Sequence, residues 1–198
     1  MSTTLDFYFD FGSPTAYLAH CRLQQLADQY DLVVNYQPML LGGVFKATDN
    51  MSPVTVPAKG KYMNEQDLPR FCKRYGVSLN FNPHFPINTL QAMRGATAAK
   101  TAGCLATYVD AVYQAMWVDQ KNIGDPKVLH AVIADAGLDA DALMAATGDA
   151  DVKAGLIRVT EEAVSRGAFG APTMYIGDDM YFGQDRLDFV EEVLAGSS

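Results

Sequence analysis

Phe7-Tyr8-Phe9-Asp10-Phe11-Gly12-Ser13-Pro14-Thr15-Ala16-Tyr17 is the stretch on which the fold turns. Residues 5–11 are rich in β-formers and predict a strand that stops at Gly12. Ser13 offers an oxygen to orphan helix amides, and Pro14 sits where a helix needs no N–H, so a helix starts here. Ala16, Ala19, Leu23, Leu26, Ala27 and Tyr30 share one face of it, and Leu32-Val33-Val34-Asn35-Tyr36 reads as a second strand. A strand, helix and strand joined this closely form a parallel pair with a right-handed crossover.

From about Leu40 to Gly167 strand signals vanish and helical ones multiply. Residues 66–75 predict a helix interrupted early by Pro69, and one long helix is expected over 88–116. Asp125-Pro126 is a helix start, with Leu129, Val132, Ile133 and Ala136 on one face, and 151–166 predicts another helix. Strands return at Thr173-Met174-Tyr175-Ile176 and Met180-Tyr181-Phe182, joined by a turn at Gly177-Asp178-Asp179 and followed by a last helix. Neither end of the chain closes a core alone, so the two must meet. The expected fold is an α/β thioredoxin-like sheet, β-α-β then β-β-α, with a large all-helical insertion. Residues 1–40 and 168–198 are expected to form the discontinuous thioredoxin-like domain, and 41–167 the inserted helical domain.

The 198 residues carry 15 Lys+Arg against 23 Asp+Glu, a net charge of −8 that argues against a nucleic-acid partner. No apolar run approaches the ~20 residues that cross a bilayer, so no membrane partner is expected. The N-terminal residues lack a basic region and an apolar region, so a cytoplasmic location is expected. The three cysteines (Cys21, Cys72, Cys104) show no Cys-x-x-Cys spacing, and no metal site is expected.

Two places could carry chemistry. At the strand–helix junction, Ser13 and Ala16 stand where a dithiol exchanger needs two cysteines, which excludes that reaction here. A helix N-terminus still favours an anion. Ser13 is otherwise a helix cap. The second place is Gly170-Ala171-Pro172-Thr173, where an x-Pro bond at a strand start can be cis at small cost. In a thioredoxin-like layout this loop faces the junction, leaving the amide and carbonyl of Ala171 to pair with a peptide-like ligand. The plainer reading of Pro172 is a strand-initiating proline. His20 lies two turns into the helix, too far to serve Ser13 as a base.

The segments Phe7–Pro14, Tyr17-Leu18-Ala19, Leu41–Lys46, Phe85–Leu90, Phe169–Met174 and Phe182–Leu187 occur in an order that resembles the 2-hydroxychromene-2-carboxylate isomerase family. That family lies in the DsbA-like branch of the thioredoxin superfamily, beside the kappa-class glutathione transferases. The resemblance implies glutathione as cofactor, with Ser13 as the catalytic residue at its sulfur. It implies Ala171 and Pro172 against its cysteinyl unit, Asp185 and Arg186 at its γ-glutamyl end, and Asn50 and Lys61 (or Lys59) along the rest. The implied reaction is reversible thiolate addition, ring opening and cis–trans isomerisation of a small aromatic carboxylate. The family also implies a homodimer. Lys46, Lys59, Lys61 and Arg94 are candidates for the substrate carboxylate, and Tyr62, Phe81, Phe85 and Trp117 for an aryl pocket. Two further readings stay open: a kappa-type transferase or peroxidase using the same thiolate, and a catalytically silent thioredoxin-like binding module.

Overall fold

Strand β1 (Thr3–Phe9) runs into helix α1 (Pro14–Gln29), which returns the chain to strand β2 (Leu32–Pro38). The coordinates, a computed structural model, describe residues 2–196, so the expected domain limits at residue 1 and at 197–198 lie outside them. β1 and β2 pair in parallel, with Thr3 opposite Leu32 and Phe9 opposite Pro38. Far along the chain, β3 (Thr173–Ile176) pairs antiparallel with β1, and β4 (Asp179–Phe182) antiparallel with β3. The sheet order is β2-β1-β3-β4, so the two ends of the chain complete one sheet. Gly177, at φ +59°, makes the reversal between β3 and β4.

Eight helices lie between β2 and β3: α2 (Leu41–Thr48), α3 (Pro57–Tyr62), α4 (Leu68–Tyr75), α5 (Leu90–Thr101), α6 (Leu105–Trp117), α7 (Pro126–Asp135), α8 (Ala140–Ala146) and α9 (Ala150–Ser165). A 3-10 turn over Gln184–Arg186 then leads into α10 (Leu187–Gly196). The single helix expected over 88–116 is two. Gly103, at φ +74°, takes the left-handed conformation that ends α5, and α6 begins after Cys104 and packs back on α5. Pro69 does not break its helix but widens it: a π-helical turn, Met63–Asp67, joins α3 to α4. A proline has no N–H for the carbonyl four residues back, and its ring crowds that carbonyl.

Strand alternation sorts the core. Leu5, Phe7 and Phe9 point to one face, where Phe7, Phe9 and Phe11 follow one another at ring separations of 5.5 and 5.4 Å. Tyr8 points to the other, against Met39, Val44, Ala163 and Tyr175. The first cluster continues without a break into α5, α6 and α7, so the helical stretch shares its core with the sheet. Trp117, fully buried in α6, donates its indole N–H to the carbonyl of Phe11 at 2.8 Å and fixes the end of β1 from below.

Candidate active site

Asp10 organises the junction. It is buried, and its two carboxylate oxygens accept the N–H of Gly12 at 2.9 Å and of Leu41 at 2.8 Å. Burial pushes its pKa up, while hydrogen bonds from Gly12, Leu41 and Thr89 pull the other way. One carboxylate thus ties the reactive loop to the start of α2. Ser13 follows in an extended conformation, 5% exposed, and its Oγ accepts the N–H of Ala16 at 3.1 Å as the cap of α1.

The opposite wall is the Ala171–Pro172 peptide, which is cis. The Ser13 hydroxyl donates to the carbonyl of Ala171 at 3.1 Å. Thr15 approaches the same oxygen at 3.3 Å and Ser13 Oγ at 3.0 Å. The expectation that the Ala171 carbonyl is free is therefore corrected: two hydroxyls already reach it. The cause is the α1 start, whose first turn projects both hydroxyls at the loop before β3. The amide N–H of Ala171 has no protein partner among the described residues. Behind it, the carbonyl of Pro172 accepts the N–H of Gly183 at 3.0 Å, drawing the turn after β4 alongside.

Gly183 has φ +94°, and a Cβ there would lie 2.6 Å from a carboxylate oxygen of Asp185. A side chain would therefore displace the acid, and only glycine presents it without strain. Asp185 is held by the guanidinium of Arg186. Gln184, 4% exposed, anchors the turn: its side-chain and backbone oxygens accept the Tyr75 hydroxyl at 2.8 and 3.2 Å.

Ser13, Thr15, Ala171 and Asp185 converge on one cavity of about 460 Å³, with Asn50 and Lys59 on its wall. Asn50 donates to the carbonyl of Phe169 at 2.8 Å. Lys61 is not on the wall; its side chain is 73% exposed and its ammonium lies 4.0 Å from Glu65. Pro172 and Arg186 also stand off the wall, the first buried behind Ala171 and the second beside Asp185. Lys46 and Arg94 are elsewhere, Arg94 on a separate groove with Lys153. Of the four expected aromatics only Phe85 reaches the cavity. Trp117 is core, Phe81 packs on both, and Tyr62 faces out. Phe45, Met63, Leu68 and Phe71 add apolar surface on one side of the cavity. Sequence reading missed them because they come from three different elements with no shared period.

His20 is committed to the core, its ring nitrogens 2.8 Å from the Tyr36 hydroxyl and 3.1 Å from Asp110. No histidine lines the cavity among the described residues, so Ser13 has no imidazole base there, which argues against a serine-nucleophile chemistry. None of the three cysteines lines the cavity, and burial pushes the Cys21 and Cys72 thiols up, away from reactivity. Among the described residues no cluster of His, Cys, Asp or Glu could hold a metal ion, and no helix is long and apolar enough to cross a membrane. What the cavity does offer is two hydroxyls at a helix N-terminus, the unpaired amide of Ala171 in the loop before β3, two acids (Asp67 and Asp185), one cation (Lys59), and an apolar annex. That set suits a peptide-like thiol better than a nucleophile of the protein's own.

The model of the DSBA-like thioredoxin domain matches residues 4–195. The 2-hydroxychromene-2-carboxylate isomerase of Sphingobium xenophagum is 34% identical over 98% of this chain and 99% of its own. The chain belongs to the 2-hydroxychromene-2-carboxylate isomerase family. A solved structure of a selenomethionine 2-hydroxychromene-2-carboxylate isomerase superposes with a TM-score of 0.88, at 31% identity, covering 97% of this chain and 94% of that one. Kappa 1 glutathione S-transferase of Rattus norvegicus is more distant, 27% identical over 96% of this chain and 90% of its own. For this member of the isomerase family the match runs through both walls of the cavity and the helices between them. Family and fold agree with the sequence resemblance, and the relatives are enzymes.

Proposed function

We propose that the protein is a glutathione-dependent isomerase acting on a small aromatic carboxylate of the 2-hydroxychromene-2-carboxylate type. The observation that carries the proposal is the meeting of Ser13, the unpaired amide of Ala171, and Asp185 on one cavity. Glutathione bears an ammonium, two carboxylates, two amides and a thiol, and these residues complement that set. Asp185 takes the ammonium, and the backbone amide of Ala171 takes a peptide carbonyl. Lys59 and Asn50 take the far end, and Ser13 faces the sulfur. Bound there, glutathione would supply a thiolate whose addition turns the carbon–carbon double bond into a single bond; with the ring open that bond rotates, and elimination of the thiolate restores the double bond and returns the glutathione unchanged.

A free thiol titrates near ~8.5, so thiolate is scarce at neutral pH, and lowering that by two units requires ~2.7 kcal/mol. The Ser13 hydroxyl and the N-terminus of α1 together supply about that much. Their role is to hold a negative charge, not to attack. The annex of Phe45, Met63, Phe71 and Phe85 excludes water and receives the aryl body. The protein is proposed to act in the cytoplasm and, as the family resemblance implies, as a homodimer; sedimentation across micromolar concentrations checks the dimer, and a monomer throughout removes it. Similarity to a kappa-class transferase favours a second reading at the same cavity, conjugation or peroxide reduction. Calorimetric titration with glutathione, then absorbance assays on a hydroxychromene acid and on a generic electrophile, test both. Binding with isomerase turnover supports the first reading, and binding with conjugation alone supports the second. No binding of glutathione overturns both and leaves a silent binding module.

A further inference from the structure

Three oxygens stand together at the mouth of α1. Ser13 Oγ lies 3.1 Å from the Ala171 carbonyl, Thr15 Oγ1 lies 3.3 Å from the same carbonyl, and the two hydroxyls are 3.0 Å apart. Their hydrogens can be counted. Each hydroxyl has one proton to give, and Ser13 Oγ already accepts the Ala16 N–H. In the arrangement described, the Ser13 proton is spent on Ala171. A thiolate arriving at Ser13 needs that proton, and withdrawing it removes the shorter of the two hydroxyl donors to a partly buried carbonyl, so the longer one must keep it satisfied. Thr15 is the one side chain already in place to do so.

We infer that Thr15 is a positioning residue that takes over the Ala171 carbonyl and so releases the Ser13 proton to a bound thiolate. With an anion present, two hydroxyl protons then serve two acceptors, and neither is left without a donor. The exchange is downhill, because a hydrogen bond to an ionised acceptor is about twice as strong as a neutral one. The second lone pair of the Ala171 carbonyl still leaves room for a ligand N–H. This rests on the reading of the cavity as a glutathione site. It adds a second hydroxyl to the junction, reached through hydrogen bonding to Ser13 rather than by touching sulfur.

The test reads the ultraviolet absorbance of the thiolate of glutathione bound to the full chain, as a function of pH, in wild type, Thr15→Val, Thr15→Ala and Thr15→Ser. Thr15→Val and Thr15→Ala are expected to raise the pH at which the bound thiol ionises by about one unit, the tenfold effect of losing one hydrogen bond. Glutathione affinity measured below the bound thiol's ionisation should stay at the wild-type value, affinity measured above the free thiol's ionisation should fall by the same tenfold, and Thr15→Ser should restore the wild-type midpoint. A role confined to packing moves stability or affinity but not the midpoint. Unchanged midpoints in both truncated variants, or a Thr15→Ser variant shifted as far as they are, overturn the inference while the glutathione reading stands. No bound-thiolate band in the wild type brings down that reading, and this inference with it.

Discussion

Ser13 Oγ lies 3.1 Å from the carbonyl oxygen of Ala171, a residue 158 positions away in the chain. The pair closes the junction between the first helix and the loop before β3, and it places a single hydroxyl proton at the point where a thiolate would need it.

Replacing Ser13 by Ala should leave the fold nearly intact, since losing the cap costs about 1 kcal/mol and Pro14 still starts α1. Turnover at neutral pH with saturating glutathione should fall about ten- to a thousand-fold, as for other single donors aimed at an anion. The deficit should shrink as pH rises past ~8.5, where glutathione ionises unaided. Superimposable pH–rate profiles for wild type and variant would reduce Ser13 to a helix cap.

Asp185 sits on the cavity wall with Gly183 shaped around it. Asp185→Ala should weaken glutathione binding by about 1.5–3 kcal/mol, the range for hydrogen bonds to charged groups. Calorimetry checks this directly, and an unaltered affinity would place the γ-glutamyl end elsewhere.

Gly95 of α5 lies beneath Tyr108 of α6, and a Cβ at that position would come 2.1 Å from the Tyr108 hydroxyl oxygen. That hydroxyl is fixed by its bond to the Ala92 carbonyl at 2.9 Å, and the whole side chain is buried. Gly95→Ala should therefore destabilise the fold by about 3 kcal/mol through overpacking, despite the better helix propensity of alanine. Urea unfolding gives the answer, and a variant as stable as wild type would mean that Tyr108 can move away from α5 at little cost.

Tyr8 is fully buried and donates to Glu162 at 2.7 Å, and burial first, then that bond, pushes its phenol up to about 12. A phenol raised in the fold ionises first in the unfolded chain, so its contribution is complete below pH ~10 and is lost as pH rises through the folded value. At pH 8 wild type should exceed Tyr8→Phe by about 1–2 kcal/mol. That advantage should shrink by roughly 1 kcal/mol between pH 10 and 11. A gap that stays constant over that interval would show that Tyr8 ionises at its ordinary pH.

Much of this protein is written locally. The run from Phe7 to Tyr17 specifies a strand, a cap and a helix because pleat alternation, Ser13 as acceptor and Pro14 without an N–H all act within a few residues. The same local chemistry gives the β3–β4 hairpin and the start of α7 at Asp125-Pro126. The resemblance to the family was likewise carried by short motifs in order, and the comparisons bear it out.

What tertiary structure decided is which of these residues meet. Lys59 and Lys61 look interchangeable in sequence, yet two positions on a helix differ by about 200° of rotation, so only Lys59 reaches the cavity. Phe45, Met63 and Phe71 share no period, and only the packing of α2, the π-helical turn and α4 gathers them. Thr15 reads as an unremarkable second residue of a helix. It acquires a partner because β3 pairs with β1 and carries Ala171 alongside, a closure that depends on the whole chain between them. Caps and periods are set by neighbours in sequence, whereas a hydrogen bond across 156 residues exists only once the sheet has formed.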